Sequence, residues 1–261
     1  MPPLRWPGGK RRLAATIVAA LPPHAAYVET CCGGAAVFWA KPRDISTCEI
    51  LNDTDGELVN FYWQLHKTGR RLAAAVDAMP YSRRLLAEQL ASRPRTAFTR
   101  AVRFWYCNRV AFGGMRERPT FGVTKSRRPA VLPPAILANL DILIERLRGV
   151  IFEAVDVVRL LELYDAPSTC FYVDPPYYGV SQPYACTFGP ADHARLASSL
   201  AGLRATWLLS YNDCSDVRRL YRDRSILPLS HSYSLGANSG TGGTREASEV
   251  LISNRPFATR K

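Results

Sequence analysis

The chain has no apolar stretch approaching the length of a membrane span, no CxxC pair, no complete GxGxxG, no GK[ST] motif, and no internal repeat or low-complexity tract. The first absence argues against a helical membrane protein. The opening MPPLRWPGGKRRLAATIVAALPPH also lacks a signal peptide's long apolar segment and small-residue cleavage site, so a cytoplasmic protein is expected. Seven cysteines is an odd number, and Cys31, Cys32, Cys48, Cys107, Cys170, Cys186 and Cys214 lie mostly in apolar surroundings. They read as reduced thiols, with neither a disulfide framework nor a metal site. Without GK[ST] there is no lysine placed to hold a nucleotide's phosphates. Four scattered histidines make no catalytic constellation, and His193 reads as a satisfied or surface side chain. Lysine is scarce as well, five against 29 arginines, so where the charges sit carries more information than which residue supplies them.

What is present describes an ordinary globular protein with a basic surface. With 261 residues, 47% hydrophobic and 21% charged, the chain can bury a core as one large domain or as a core with a smaller insertion. A net charge of +12 and a pI near 9.6 point to a polyanionic partner. The charge is concentrated: between Glu88 and Asp141 stand nine arginines and Lys125 against the single acid Glu117. A phosphate-binding face explains that concentration better than a uniformly solvated surface does.

Along the chain, LRWPGGK is a Pro-Gly-Gly loop leading to a helix that ends at Pro22-Pro23. Tyr27–Glu29 reads as a short strand entering Thr30-Cys31-Cys32-Gly33-Gly34, with a helix from Ala35 to Ala40. That order opens a nucleotide-binding α/β fold. Cys48–Leu51 is the second strand, ending at Asn52-Asp53, and a helix follows over Glu57–Lys67. From about Gly69 to Gly149 the alternation lapses into a mostly helical, basic insertion, with one helix over residues 133–149 whose prolines suit its first turn. It resumes with a strand over 150–154 into Asp156, the helix VVRLLELY, and the strand Cys170–Val173. The expected domains are therefore a core of residues 1–68 and 150–261 and an inserted lobe of residues 69–149. A hairpin of strands near 225–229 and 248–253, joined by a mobile loop over 231–247, closes the chain.

The strand at Cys170–Val173 delivers Asp174-Pro175-Pro176-Tyr177. Neither proline can donate a backbone hydrogen bond, so the tip is a cluster of acceptors beside an aromatic face, suited to a flat group bearing an NH2. Asp53, Asp156 and Asp174 each end a predicted strand, and in an open parallel sheet such ends share one crevice. An acidic crevice repels phosphate. It suits a ribose-bearing, net-cationic cofactor, and S-adenosylmethionine is the natural candidate.

The order LRWPGGK, ETCCGGAAVF, LNDTDGELVNFY, DPPYYG, EVLISN resembles the DNA adenine methylase family of class alpha amino-methyltransferases over nearly the whole chain. The resemblance implies a Rossmann-like, seven-stranded S-adenosylmethionine-dependent methyltransferase core carrying a helical target-recognition insertion. It implies site-specific methylation of the N6 amine of a flipped adenine in double-stranded DNA. It places Trp6 and Lys10 at the cofactor's methionine end with Glu29 and Gly33 beneath, gives the ribose hydroxyls to Asp53, and has Asp156 accept from the cofactor's adenine amine. Asp174 with the Pro175 carbonyl would grip the target amine in a catalytic DPPY made of Asp174, Pro175, Pro176 and Tyr177, with Tyr177 stacking on the base. In the lobe, NRVAFGGMRERPTFG resembles the family's DNA-facing loop and nominates Asn108, Arg109, Arg116 and Arg118; Lys125, Arg127 and Arg128 join them from the basic window. The family usually has phenylalanine where Cys31 and Val157 stand, glycine at Ala35, and asparagine at Asp55 and Gly122. A monomer acting on nucleoid DNA is expected, with a cognate restriction endonuclease as a candidate partner. The same chemistry on RNA adenine or the cytosine amine, or a catalytically idle DNA-binding accessory protein, stays open at this stage.

Overall fold

The computed structural model describes residues 2–116, 119–125, 128–180, 188–232 and 246–257. Its centre is a seven-stranded sheet of β1 (Ala26–Glu29), β2 (Cys48–Asn52), β3 (Ile151–Glu153), β4 (Thr169–Val173), β5 (Thr206–Asn212), β6 (Ser225–Ser232) and β7 (Glu246–Ser253), in the order β3-β2-β1-β4-β5-β7-β6. The first five strands are parallel, and β7 runs antiparallel to both β5 and β6. This is the expected fold class, a mixed α/β sheet of seven strands. The expected hairpin is β6–β7; its connecting loop lies outside the described residues.

The central strands are apolar on both faces because helices cover both. All five residues of β4 are buried. Along it Tyr172 joins the cluster with Tyr27, Leu51 and Leu208, while Phe171 and Val173 join that of Val28, Ile50 and Leu209 on the other face. Around the sheet run α1 (Ala14–Ala19), α2 (Ala36–Ala40), α3 (Gly56–Asp77), α4 (Arg83–Ala91), α5 (Ala97–Val110), α6 (Pro134–Ala138), α7 (Leu140–Arg146), α8 (Val157–Tyr164), α9 (Pro190–Ala201) and α10 (Ser215–Leu220).

Two helices differ from the sequence reading. The helix expected to stop at Lys67 continues to Asp77, bending at Thr68, whose backbone is non-helical. The Thr68 hydroxyl donates to the Gln64 carbonyl at 3.0 Å, a bond back to residue i−4 that bends helices. Next to the bend, Gly69 admits Ile144 of α7, which would lie 2.6 Å from any Cβ there. The single helix expected over residues 133–149 is two, α6 and α7, divided at Asn139. Residues 69–149 share one apolar cluster with the sheet, through Phe104, Trp105, Ile136 and Leu143 among others. The Trp105 indole N–H donates to the Pro3 carbonyl at 3.3 Å, so the start of the chain is also fastened to this segment.

Candidate active site

Strand order reverses between β1 and β4, and ligands of such sheets bind outside the carboxyl ends at that point. Asn52, 1% exposed, stitches the strand tips there. Its amide donates to the carbonyls of Thr30 at 2.7 Å and Val155 at 3.1 Å, and its oxygen accepts from Val155 N at 2.9 Å. The turn after β1 needs its glycine. Gly33 has φ +47°, and a Cβ on it would lie 2.4 Å from the indole nitrogen of Trp6. Gly33→Ala is expected to displace Trp6 and, with the turn placed at the cofactor as the sequence resemblance implies, to weaken cofactor binding at least tenfold by calorimetry; unchanged affinity would show that the turn does not shape the pocket. Ala35, in the family's glycine position, also has positive φ, +51°. Left-handed backbone costs alanine about 1–2 kcal/mol, but glycine would give up a buried methyl and bring chain entropy of about 0.5–1 kcal/mol. The terms nearly cancel, which is why alanine is tolerated there.

Asp174, directly after β4, receives Lys10 Nζ at 2.7 Å and the Ser210 hydroxyl at 2.8 Å, both on Oδ1. Lys10 is 5% exposed; it also donates to the Gly8 carbonyl at 3.2 Å and stands 4.8 Å over the Tyr177 ring. Burial pushes the Asp174 carboxyl above its ordinary range, against the pull of Lys10 and Ser210. Pro175 is buried and Pro176 partly so. Asn212 at the end of β5 then pins the next residue from both sides, accepting from Tyr178 N and donating to Tyr178 O, each at 3.1 Å. His193, 1% exposed, meets the Tyr211 hydroxyl at 2.5 Å and packs on Tyr178 and Phe188, the satisfied histidine the sequence suggested.

The remaining acids line the same cleft. Asp53 accepts from Gly33 N at 2.9 Å and Asp55 N at 3.0 Å, and burial lifts it to about 6. Each of its oxygens keeps capacity for a further donor. Glu29 accepts from the Tyr27 hydroxyl at 2.8 Å and Phe38 N at 2.9 Å. Burial pushes it up to about 8, so in the free protein it is mostly a neutral acid at pH 7. Asp156 caps α8 by accepting from Val158 N at 3.0 Å, and Arg195 grips both its oxygens at 3.0 and 2.9 Å. That fork holds the Asp156 carboxyl below its ordinary value. A cavity of about 330 Å³ is lined by Trp6, Lys10, Glu29, Gly33, Asp53, Asp156, Asp174 and Pro176, with Asp55, Arg116 and Arg195 beside them.

Residues 6–235, from the Trp6 loop through every strand tip described above, match the family model of the D12 class N6 adenine-specific DNA methyltransferases. The chain belongs to that family. This methyltransferase transfers a methyl group to the exocyclic N6 amine of adenine in DNA. No curated protein matches the sequence. Among solved structures the chain is similar to the rRNA methyltransferase aviRa from Streptomyces viridochromogenes, at 16% identity over 96% of this chain and 87% of that one, with a TM-score of 0.39.

The methyltransferase's basic window divides into buried and exposed side chains. Asn108 and Arg109, expected at the DNA, are 2% and 5% exposed, and the expectation is corrected for both. The Asn108 amide brackets Arg5, accepting from its N at 3.0 Å and donating to its O at 2.7 Å, while Arg109 Nε donates to the Val131 carbonyl at 3.2 Å. Asn108 fastens the start of the chain to the segment of residues 69–149 and Arg109 ties that segment to itself, roles their place inside a basic run concealed. Arg116 lines the same cavity, ion-paired with Asp55 and stacked 4.8 Å over Phe104. Lys125 and Arg128 are exposed, and Arg118 and Arg127 lie outside the described residues. The family's asparagine would crowd its neighbours at Gly122: a Cβ would come 3.0 Å from both the Tyr81 hydroxyl and the Val110 carbonyl, which would have to give by a few tenths of an ångström. Sequence reasoning missed Ser210, Asn212, Arg195 and Asn52. The one available signal was a serine inside the otherwise apolar strand Trp207-Leu208-Leu209-Ser210-Tyr211.

Proposed function

We propose that the methyl donor is S-adenosylmethionine, held in the cleft of Trp6, Glu29, Gly33, Asp53 and Asp156, and that a flipped adenine is gripped by Asp174 and the Pro175 carbonyl against Tyr177. The observation that carries this is the pairing of charges. Among the described residues, each of the three cations in the cavity wall is engaged by an acid, Lys10 by Asp174, Arg116 by Asp55 and Arg195 by Asp156. What remains is the Asp53 carboxylate, with Glu29 beside it as a largely neutral acid, and that wall fits a net-cationic ligand with a ribose diol better than a phosphate. When bound, that cofactor supplies a methyl group on a sulfonium.

The chain's own residues do the rest by placement and electrostatics. An adenine amine is a weak nucleophile because its lone pair is delocalised into the ring. Two acceptors taking its two hydrogens, Asp174 and the Pro175 carbonyl, favour a pyramidal nitrogen and free the lone pair. As the nitrogen becomes cationic it loses a proton. A carboxylate whose affinity for protons is raised by burial, as at Asp174, is suited to receive it. The exposed side chains of residues 69–149 would meet the DNA backbone. Incubation with unmethylated DNA and S-adenosylmethionine, followed by mapping of modified bases, tests the reading; cytosine as the only modified base, or methylation confined to RNA, would overturn it.

The same reading separates the arginines. Arg116→Ala is expected to leave the salt dependence of DNA binding unchanged, because its charge is spent on Asp55. Lys125→Ala and Arg128→Ala should each reduce the slope of log K against log salt by about 0.9. Equal slopes for all variants would place the phosphate contacts elsewhere.

A further inference from the structure

The two oxygens of the Asp174 carboxylate are treated differently. Lys10 Nζ and Ser210 Oγ both reach Oδ1, whereas no hydrogen bond among the described residues engages Oδ2. Ser210 is fully buried, and the Tyr172 hydroxyl lies 3.0 Å from its oxygen. A carboxylate oxygen only accepts, so the single Ser210 proton points to Asp174 and Tyr172 donates to Ser210. The result is a directed chain from Tyr172 on β4 through Ser210 on β5 to Oδ1, with Tyr172 itself 1% exposed in the wall of the cleft.

We propose that Ser210, oriented by Tyr172, is a positioning residue for methyl transfer: together with Lys10 it saturates Oδ1 and leaves Oδ2 as the acceptor offered to the target amine. This rests on the reading of Asp174 as the amine-holding group. Without Ser210, Lys10 alone would define the carboxylate plane, and an ammonium is a point charge without directional preference. The carboxylate could then rotate, exchanging its oxygens between cation and substrate.

The proton balance of Asp174 gives this role its own signature. The groups acting on Asp174 are Lys10 from the N-terminal loop, Glu29 from β1, Tyr172 from β4, Ser210 and Tyr211 from β5, and Glu249 from β7. Lys10 and the Ser210 hydrogen bond pull its carboxyl down, while burial and Glu249 push it up. Removing the Ser210 hydroxyl therefore raises the pH below which Asp174 is protonated and cannot accept.

The test measures methyl transfer to DNA against pH for wild type, Ser210→Ala, Ser210→Thr and Tyr172→Phe, with S-adenosylmethionine affinity by calorimetry alongside. Ser210→Ala is expected to lower kcat about ten- to a hundredfold and to move the acid limb of the pH profile upward, with cofactor affinity and KM for DNA within about twofold. Tyr172→Phe should move the limb the same way by less. Ser210→Thr, which keeps the hydroxyl, should restore the limb even if the added methyl lowers Tm. An unmoved acid limb in Ser210→Ala, or a loss of turnover that Ser210→Thr does not reverse, would overturn the proposal. Wild-type protein that methylates no adenine in DNA would instead overturn the underlying reading, and the proposal with it.

Discussion

Asp174→Ala is expected to abolish measurable methyl transfer, a loss on the order of a thousandfold or more in kcat, with cofactor affinity still measurable. In the proposed reading, positioning supplies most of the acceleration for a nucleophile whose lone pair is tied up in the ring, and Asp174 would be the one side-chain acceptor on the amine. The substitution has a second consequence. Lys10, 5% exposed, loses the carboxylate 2.7 Å away, and a buried ammonium without its partner destabilises the fold. Loss of activity alone would thus confuse chemistry with folding. The double variant Lys10→Met/Asp174→Ala removes the stranded charge and should regain most of the lost thermal stability while remaining inactive. Near-normal turnover in either variant would sink the assignment of Asp174, since no other described carboxylate stands at that strand tip.

The largest expected effect on stability lies on the far side of β2. Arg146 of α7 forks onto Glu49 at 2.5 and 2.7 Å, and Lys41 Nζ reaches the same carboxylate at 2.6 Å. The Arg146 guanidinium lies 3.7 Å from the Phe38 ring centre and donates to the Phe38 carbonyl at 3.1 Å. Glu49 and Lys41 are 6% and 2% exposed, so water cannot replace a lost partner. Glu49→Ala would leave two cations facing each other and is expected to cost about 3–5 kcal/mol, a large share of the roughly 5–15 kcal/mol that holds a typical domain folded. Urea unfolding reads this directly as a lower midpoint. Substituting the whole group, Lys41→Met with Glu49→Leu and Arg146→Met, should cost far less, because it is the uncompensated charge and not the absence of the pair that destabilises. A Glu49→Ala midpoint equal to wild type would refute the account. Because the group ties the segment of residues 69–149 to the sheet, proteolysis of that segment should accelerate in the same variant.

The strands, their order along the chain and the convergence of Asp53, Asp156 and Asp174 were legible because each rests on local chemistry. A run of apolar, β-rich residues ending in an acid is a strand tip wherever it occurs, and a parallel sheet brings such tips to one edge. Gly33 was legible for the same reason, as a turn glycine between strand and helix. The helix over residues 56–77 was read too short because its bend depends on a threonine reaching back one turn and on Ile144 filling the space beside Gly69, a contact 75 residues away in the chain. Asn108 and Arg109 were misread for a related reason. A run of like charges predicts a solvated or phosphate-binding face, yet whether each side chain points outward depends on which partners the rest of the fold brings to it.

By itself, then, the sequence determined the class of chemistry: an acceptor cluster at a strand tip, an acidic cleft beside a glycine turn, and a basic excess calling for a polyanion. Those follow from residue types and local spacing, which act over a few residues. Tertiary structure alone decided how the site is held. Ser210 on β5 meets Asp174 after β4, Asn52 joins three strand tips, and Arg5 is clasped by Asn108 more than a hundred residues away. The physical reason is that a short polar side chain carries no sign of its partner. Its hydrogen bond exists only once packing has excluded water and left one acceptor within reach.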